Sequence, residues 1–406
     1  MVLIDNCSRH LAVYRENDEI CGVLLYGIFH GSVFRLIWNC KLDISTAENT
    51  YPLFLIGSSQ SVSRNEREKR TMHTIAAEKL HELVKEICVA AGADERNAVC
   101  LADHQVLSNL RGVDTHGIWH LPLYIDQILC EQLLPTNWPQ VIQENSASAL
   151  VDGNWTFGQT TAKVATEVAV SKACIHGISV VGAVRCNHIG RVGHFVEMAA
   201  KKGCIGIVVA GGFSEVDPVT APFGGRERVL STNPIAMSFP VDTEKDPVMF
   251  DFATTAIAGV KVENALRRGE EVPPGCIIDK DGNPTTDAQA YGEGGAHVPF
   301  AEHKGYALNV AVEYLGRILT GSDKYAEENR GTDILRHHGT TVIAIKADLF
   351  RPLEDFYKSA NEMANRLRKV APAPGHDVVM APGDPESQTQ AERERDGIPV
   401  ADDVWK

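Results

Sequence analysis

The chain has 406 residues, 44% hydrophobic and 23% charged, which is ordinary for a folded soluble protein. Its formal net charge of −14 argues against general nucleic-acid binding, which needs basic surface. The length gives room for two or three structural units, one of them with a large core.

Residues 1–71 read as an extension, either poorly ordered or an artefact of the gene model. Ile20 to Trp38 is apolar but carries His30 and Arg35, a poor pattern for a membrane span. It also lacks the basic start and small-residue cleavage site of a secretory signal. Ser58 to Arg70 is polar, charged and linker-like.

Leu80, Leu83, Val84, Ile87 and Cys88 recur at helical spacing and predict a helix over 75–91, with Gly92 as its C-cap. Asp94 suits the N-cap of a second helix through Ala98, Leu101, Val106 and Leu110. A third helix is expected from near Gly117 to Leu129, placing His116 at a helix start. Strands are then predicted at 149–151, 178–184, 205–210, 235–239, 248–252 and 341–345. Helices are predicted at 160–175, stopped by Gly177, and at 192–202, stopped by Gly203. Two more follow at 304–320 and 352–370, before a charged tail punctuated by Pro and Gly. Alternation of this kind argues for α/β organisation.

The 10 cysteines are scattered and form no C-x-x-C pair, which reads as reduced packing thiols in a cytoplasmic protein. Cys186 is read in that way despite its place beside Asn187-His188. The G-x-G-x-x-G dinucleotide fingerprint, the phosphate-binding G-x-x-x-x-G-K-[ST], H-E-x-x-H and G-x-S-x-G are all missing.

Three stretches set titratable side chains beside glycines, which allow close approach to a ligand. They are Arg111-Gly112-Val113-Asp114-Thr115-His116-Gly117, Asn187-His188-Ile189-Gly190-Arg191-Val192-Gly193-His194, and Ala221-Pro222-Phe223-Gly224-Gly225. A histidine such as His116 suits proton donation to a carbonyl under reduction; capping or core packing is the bland alternative. His116 and His120 are four apart, as in a helical zinc pair, with Asp114 or Glu197 as conceivable carboxylate partners. No third ligand falls at a recognisable spacing, so no metal site is assigned. Asp251, at the end of an apolar strand in Phe250-Asp251-Phe252-Ala253-Thr254-Thr255, can orient an imidazole or cap a helix. Lys304-Gly305-Tyr306 opens a helix whose free N–H groups and lysine can hold a phosphate. Ser231-Thr232-Asn233-Pro234 is a turn rich in polar groups.

Taken together, RGVDTHG, NHIGRVGH, APFGGRERVLSTNP, FDFATT, the VPPG to DGNPTTD stretch, HKGYAL and the late APGDPE to GIPV resemble the malate/L-lactate dehydrogenase family of the non-Rossmann type. The resemblance runs from Met72 to Val404. It implies an α/β, sulfolactate-dehydrogenase-like fold that is not Rossmann-type. A helical N-terminal part (72–145) precedes a central nicotinamide-binding α/β part (146–325), and residues 326–406 pack back on the N-terminal helices. It implies a homodimer that moves hydride between NAD or NADP and a small 2-hydroxy or 2-oxo acid. His116 matches the family's proton donor, Asp251 its partner, and His188 a second acid/base. Thr232 and Asn233 match substrate-pocket positions, with Arg191 added as a candidate cation. Asp251, Phe252, Ala253, Lys304, Gly305 and Tyr306 match cofactor positions. Where many members carry a carboxylate-gripping arginine, this chain has His120. Either Arg111, Arg191 or another cation takes over, or the substrate is a cyclic imine carboxylate or a ureidoglycolate-like compound. A non-catalytic cofactor-binding paralogue is the remaining alternative. Neither nucleic acid nor membrane is an expected partner.

Overall fold

The computed structural model describes residues 72–405 apart from 213–217, 243–244 and 333–334, together with the backbone of three earlier strands. The chain divides into two units, Met1–Thr74 with Pro399–Lys406, and Ile75–Ile398. The first holds an antiparallel meander of β1 (Arg9–Glu16), β2 (Glu19–Phe29) and β3 (Ser32–Trp38). It also holds most of β4 (Met72–Ile75), which pairs with β15 (Ile398–Ala401), and the short α11 (Asp402–Trp405). Much of the 1–71 segment read as an extension, including the stretch from Ser58 to Arg70, lies outside the described residues.

The second unit is built on one sheet. Its strands are β5 (Gln140–Glu144), β6 (Ser148–Asp152), β7 (Ile178–Val184), β8 (Cys204–Gly211), β9 (Ile235–Phe239), β10 (Val248–Phe252) and β14 (Gly339–Lys346). The order is β10-β9-β8-β14-β7-β6-β5. β6 and β7 are parallel, and every other neighbouring pair is antiparallel. A doubly wound dinucleotide fold needs a mostly parallel sheet, so the missing glycine fingerprint agrees with this topology. The pairings run β6, β7, β8 and β10 in one direction, so their C-terminal ends share one edge of the sheet.

The helices are α1 (Ala77–Ala90), α2 (Glu95–Leu110), α3 (Leu121–Leu129), α4 (Gly158–His176), α5 (Gly193–Ala200), α6 (Gly259–Arg268), α7 (Ala288–Gly292), α8 (His303–Glu313), α9 (Leu353–Arg368) and α10 (Asp384–Asp396). A small sheet of β11 (Ile277–Ile278), β12 (Pro284–Thr285) and β13 (Ala296–His297) packs near α6 and α7. Several stops follow the expected chemistry. The Asp94 carboxylate accepts the Asn97 N–H at 2.8 Å. Gly92, Gly177 and Gly203 take φ values of +101°, +87° and +71°, which glycine adopts with least strain.

Strand alternation gives the sheet two apolar faces. Val181, Val208, Ala236, Met249 and Val342 meet α4 and α5. Ala162, Ala165, Ala169 and Ala173 line one side of α4, so helix and sheet approach closely. Val209, Ile235 and Phe250 face the other way, against Leu308, Val312 and Leu315. The long helix expected over 304–320 turns into a π-helical stretch at Tyr314–Ile318. A Cβ on Gly316 would stand 2.6 Å from the Gly211 nitrogen, so the main chain there lies directly on β8. A 3₁₀ turn at Asp114–His116 precedes the third expected helix, a second at Ile118–His120 replaces its first turn, and α3 starts at Leu121. His116 therefore ends a tight turn instead of opening a helix.

Gly206 of β8 is a packing point, since a Cβ there would stand 2.9 Å from the Ala199 Cβ of α5. Gly206→Val is expected to cost about 1–3 kcal/mol through overpacking, read as a lower midpoint in chemical denaturation.

Candidate active site

At the C-terminal edge of β7 three imidazoles stack. His116 and His120 come from the two 3₁₀ turns, and His188 from the loop between β7 and α5. Ring centroids are 4.8 Å apart for His120 and His188, 5.6 Å for His116 and His188, and 5.7 Å for His116 and His120. Such stacking presents ring faces to one another, whereas a metal needs ring nitrogens converging on one point. No metal-ligating cluster occurs among the described residues.

The ring nitrogens are set by different partners. Gln159 Nε2 donates to Tyr124 Oη at 2.7 Å, and that phenol lies 2.7 Å from His188 Nδ1. With the amide donating into the phenol oxygen, the phenol proton is free for Nδ1, which leaves the proton of a neutral His188 on Nε2. His116 Nδ1 lies 3.1 Å from Thr115 Oγ1. His120 Nδ1 is buried with no hydrogen-bond partner.

Burial decides the charge of the cluster. It pushes the pKa of His116 down to about 3, with the charges of His120 and Arg191 adding to the shift. His120 falls to about 4 for the same first reason, and His188 is driven well below the ordinary value. All three are neutral near pH 7. Behind them His104 stacks on His194 at 4.8 Å, and the Arg191 N–H donates to His104 Nε2 at 2.9 Å. Burial lowers His194 to about 3 and His104 well below its ordinary value. Cys186, fully buried, has its thiol pushed up to about 12, which suits packing and leaves little thiolate.

Neither arginine considered as an anion grip is free. Arg191 is 2% exposed and Nη2 donates to Glu197 Oε1 at 2.6 Å. Arg111 donates to both oxygens of Asp246 at 2.7 and 2.8 Å and stands 3.5 Å from Glu197. Asp251 accepts the Gly193 N–H at 2.7 Å, and burial raises its pKa against the opposing charge of Arg191. The expected pairing of Asp251 with His116 is not made: among the described contacts its hydrogen bond goes to the start of α5.

The remaining candidates sit on the other side of β10. Phe252 is 39% exposed and its ring meets Phe250 at 4.9 Å and Phe300 at 5.4 Å. Ala253 follows it, and the chain through Phe300 enters α8, where Lys304 is exposed, Gly305 buried and Tyr306 half-buried. A Cβ on Gly305 would stand 1.9 Å from the Phe300 carbonyl oxygen, so only glycine fits that first turn. The Thr232 carbonyl accepts the Thr254 N–H and hydroxyl, each at 2.9 Å. Asn233, at φ +39°, donates to Asn309 Oδ1 at 2.9 Å and Glu313 Oε2 at 3.1 Å, while its own Oδ1 is buried without a partner. The structure thus brings His116, His120 and His188 together and sets Phe252 and Lys304 on a separate rim. Tyr124, Gln159 and His104 were not singled out from sequence. Tyr124 carries a signal, falling one helical turn after His120.

Residues 75–406 match the malate/L-lactate dehydrogenase family. Hydroxycarboxylate dehydrogenase B of Escherichia coli K12 is 34% identical over 342 residues, 82% of this chain and 92% of that protein. L-sulfolactate dehydrogenase of Methanocaldococcus jannaschii is 33% identical over 327 residues, 80% of this chain and 92% of that protein. The crystal structure of malate dehydrogenase from Entamoeba histolytica superposes with a TM-score of 0.76 at 29% identity, covering 82% of this chain and 96% of that one. Delta1-piperideine-2-carboxylate reductase from Pseudomonas syringae gives 0.71 at 28%, covering 82% and 98%. The chain belongs to the malate/L-lactate dehydrogenase family and is an oxidoreductase with the fold of its sulfolactate and malate dehydrogenase members.

The neutral histidines carry a stability cost in acid. Their folded pKa values lie below the unfolded value of about 6.5, so beneath that pH the unfolded chain binds protons that the fold does not. The stability they contribute is fully present above pH 6.5 and falls as pH drops toward 3 to 4. A thermal midpoint that declines between pH 6.5 and 5, above the main carboxylate range, is the expected result. A flat midpoint across that window would contradict it.

Proposed function

We propose that the protein interconverts a small 2-hydroxy acid and its 2-oxo acid, of malate or lactate type, with NAD or NADP as cofactor. The observation that carries this reading is the stacked, neutral imidazole cluster, with His120 buried and His116 and His188 half-buried, at the same sheet edge as an aromatic and cationic rim. The bound nicotinamide supplies or accepts hydride. The residues present fit such a group: the exposed face of Phe252 suits a flat ring, and Lys304 at the start of α8 suits a phosphate. Asp251, Ala253, Gly305 and Tyr306 adjoin these two.

In oxidation, His116 is already in the neutral form that takes a proton from a substrate hydroxyl. In reduction, the same nitrogen returns the proton to the new alkoxide oxygen. His188, held by Tyr124 and Gln159, presents Nε2–H beside it and can bond a substrate oxygen. Asp251 steadies the start of α5 through Gly193, and Arg191 sets the loop that bears His188. Thr232 and Asn233 border the substrate. A cyclic imine carboxylate is the second reading, supported by the likeness to the piperideine-2-carboxylate reductase and by His120 in place of a fixed cation.

A homodimer is the assembly that suits the surface. Tyr314, Ile318 and Leu319 are 59%, 49% and 60% exposed along one helical run, an apolar stripe that a second copy would cover. No described helix is long and apolar enough to cross a membrane. The cytoplasm remains the proposed location.

His116→Ala is expected to lower kcat by about 10²–10⁴-fold, the usual share of a general acid or base, while the cofactor still binds. Nicotinamide absorbance with oxaloacetate, pyruvate and a cyclic imine carboxylate, under NADH and then NADPH, reads both turnover and cofactor choice. Undiminished turnover in the variant would overturn the role. For assembly, Ile318→Asp is expected to shift the mass seen by light scattering from dimer to monomer.

A further inference from the structure

Proton transfer is lost steeply with misplacement, so what aims His116 matters as much as its charge. Among the described residues its ring has one hydrogen-bonding contact, with Thr115 of the same turn at 3.1 Å. The direction of the ring therefore follows that of the turn. Side chains from two helices hold the turn. Asn109, buried at the end of α2, donates from Nδ2 to Asp114 Oδ1 at 2.7 Å and accepts the Ile118 N–H on its own Oδ1 at 3.0 Å. One amide thereby bridges the residues on either side of His116. A Cβ on Gly117 would stand 2.1 Å from that Oδ1, so only glycine leaves room for the bridge. Gln105, one helical turn earlier, donates to the Gly117 carbonyl at 3.1 Å. The remaining hold comes from far along the chain. Arg393 of α10 donates to both oxygens of Asp114, at 2.6 and 3.0 Å, and also to the Asn109 carbonyl.

We infer that Arg393 is a positioning residue for proton transfer at His116, acting through Asp114. The inference rests on reading His116 as the acid/base. α10 buries none of its residues, so apolar packing does not account for its place. Its contacts instead run along the start of the His116 turn. Ser387 Oγ accepts from Arg111 at 3.0 Å, and a Cβ on Gly112 would stand 3.0 Å from Thr389 Cγ2. Arg393 then reaches Asp114, half-buried between the exposed Glu392 and Glu394. A planar guanidinium meeting a carboxylate through two bonds fixes its rotation as well as its place, which a point charge does not. The main chain carries that constraint on: the Asp114 carbonyl accepts the Gly117 N–H at 3.1 Å, closing the turn around His116. The bonds from α2 hold the far side of the turn, and Arg393 holds the near side against them.

The test is steady-state reduction of oxaloacetate and pyruvate by Arg393→Met, which keeps the length of the side chain and removes the fork. The kcat is expected to fall about 10–100-fold, while KM for the 2-oxo acid and Kd for reduced cofactor change less than about twofold. The thermal midpoint should scarcely move, because a partly exposed ion pair adds little to stability. The solvent isotope effect on kcat should rise, since proton transfer becomes the slower step. Guanidinium added to Arg393→Ala at concentrations too low to unfold protein should restore part of kcat, and Arg393→Lys should fall between wild type and Met. Asp114→Asn, which keeps the shape at the other end, should reproduce the loss, and the double variant should be no worse than either single. An undiminished kcat in Arg393→Met would overturn the inference. So would a loss that tracks a falling midpoint without guanidinium rescue, or one that adds in full to that of Asp114→Asn. His116→Ala measured alongside separates the two readings. If it turns over undiminished, the role of His116 falls and this inference with it; if it is inactive while Arg393→Met is undiminished, the role of Arg393 falls alone.

Discussion

The site depends on one buried ion pair. Arg191 and Glu197 are each 2% exposed and meet at 2.6 Å, joining the loop after β7 to the body of α5. Removing two charges from water costs several kcal/mol per ion, and close attraction with added hydrogen bonds has to offset that. Here the additions are present: Arg111 approaches the same carboxylate, and Asp246 answers Arg111. The pair need not stabilise the fold in net terms. It fixes a single path for the Asn187-to-Gly193 loop, because any other path leaves a charge buried alone. The backbone follows, with the Arg191 N–H on His104 and the Gly193 N–H on Asp251. His188 takes its position from that loop.

With the loop fixed, burial and charge compete over the imidazoles. Five histidines in two stacks share an interior that disfavours imidazolium, and Arg191 disfavours it further. Desolvation wins at every one, since among the described residues no carboxylate pairs with His116, His120 or His188. Asp251, expected to pair with His116, accepts the α5 N–H of Gly193 instead. The site is thus a set of neutral imidazoles near pH 7. A fixed arginine would make the opposite choice, being charged at all times.

Much of the frame was legible because it rests on local rules. The strands at 178–184, 235–239 and 248–252 match the prediction to the residue, since short β-branched or apolar runs bounded by turn residues have few other fates. Asp94 caps α2 and glycines end α1, α4 and α5 for reasons of side-chain reach and φ alone. What local rules do not carry was missed. α10 is polar and charged with little apolar periodicity to announce it, and α6 is short, its apolar face resting on Val262 and Ala265 within ten residues. The π-helical stretch comes from close packing of Gly316 on Gly211 and Gly339, a contact between distant segments. His116, His120 and His188 were readable as candidates beside glycines, but their stacking was not. The partners of Arg191 and Asp251 depend on segments that only the tertiary fold brings together.

The division of labour within the site follows from the parity of β10. Successive side chains of a strand face opposite sides of the sheet. Met249 packs with α5, and Asp251, two residues on, reaches the first N–H of that helix. Phe250 packs beneath α8, and Phe252, two residues on, joins Phe300 at the approach to Lys304. One five-residue strand thereby sends a carboxylate to the imidazole side and an aromatic ring to the cationic rim. Its register against β9, Asp251 opposite Ala236 and Phe252 opposite Ile235, is held by the apolar residues on both faces. A slip of one residue would bury Asp251 beneath α8 and set Phe252 against α5. The apolar packing of the sheet is therefore also what assigns each functional side chain to its half of the site.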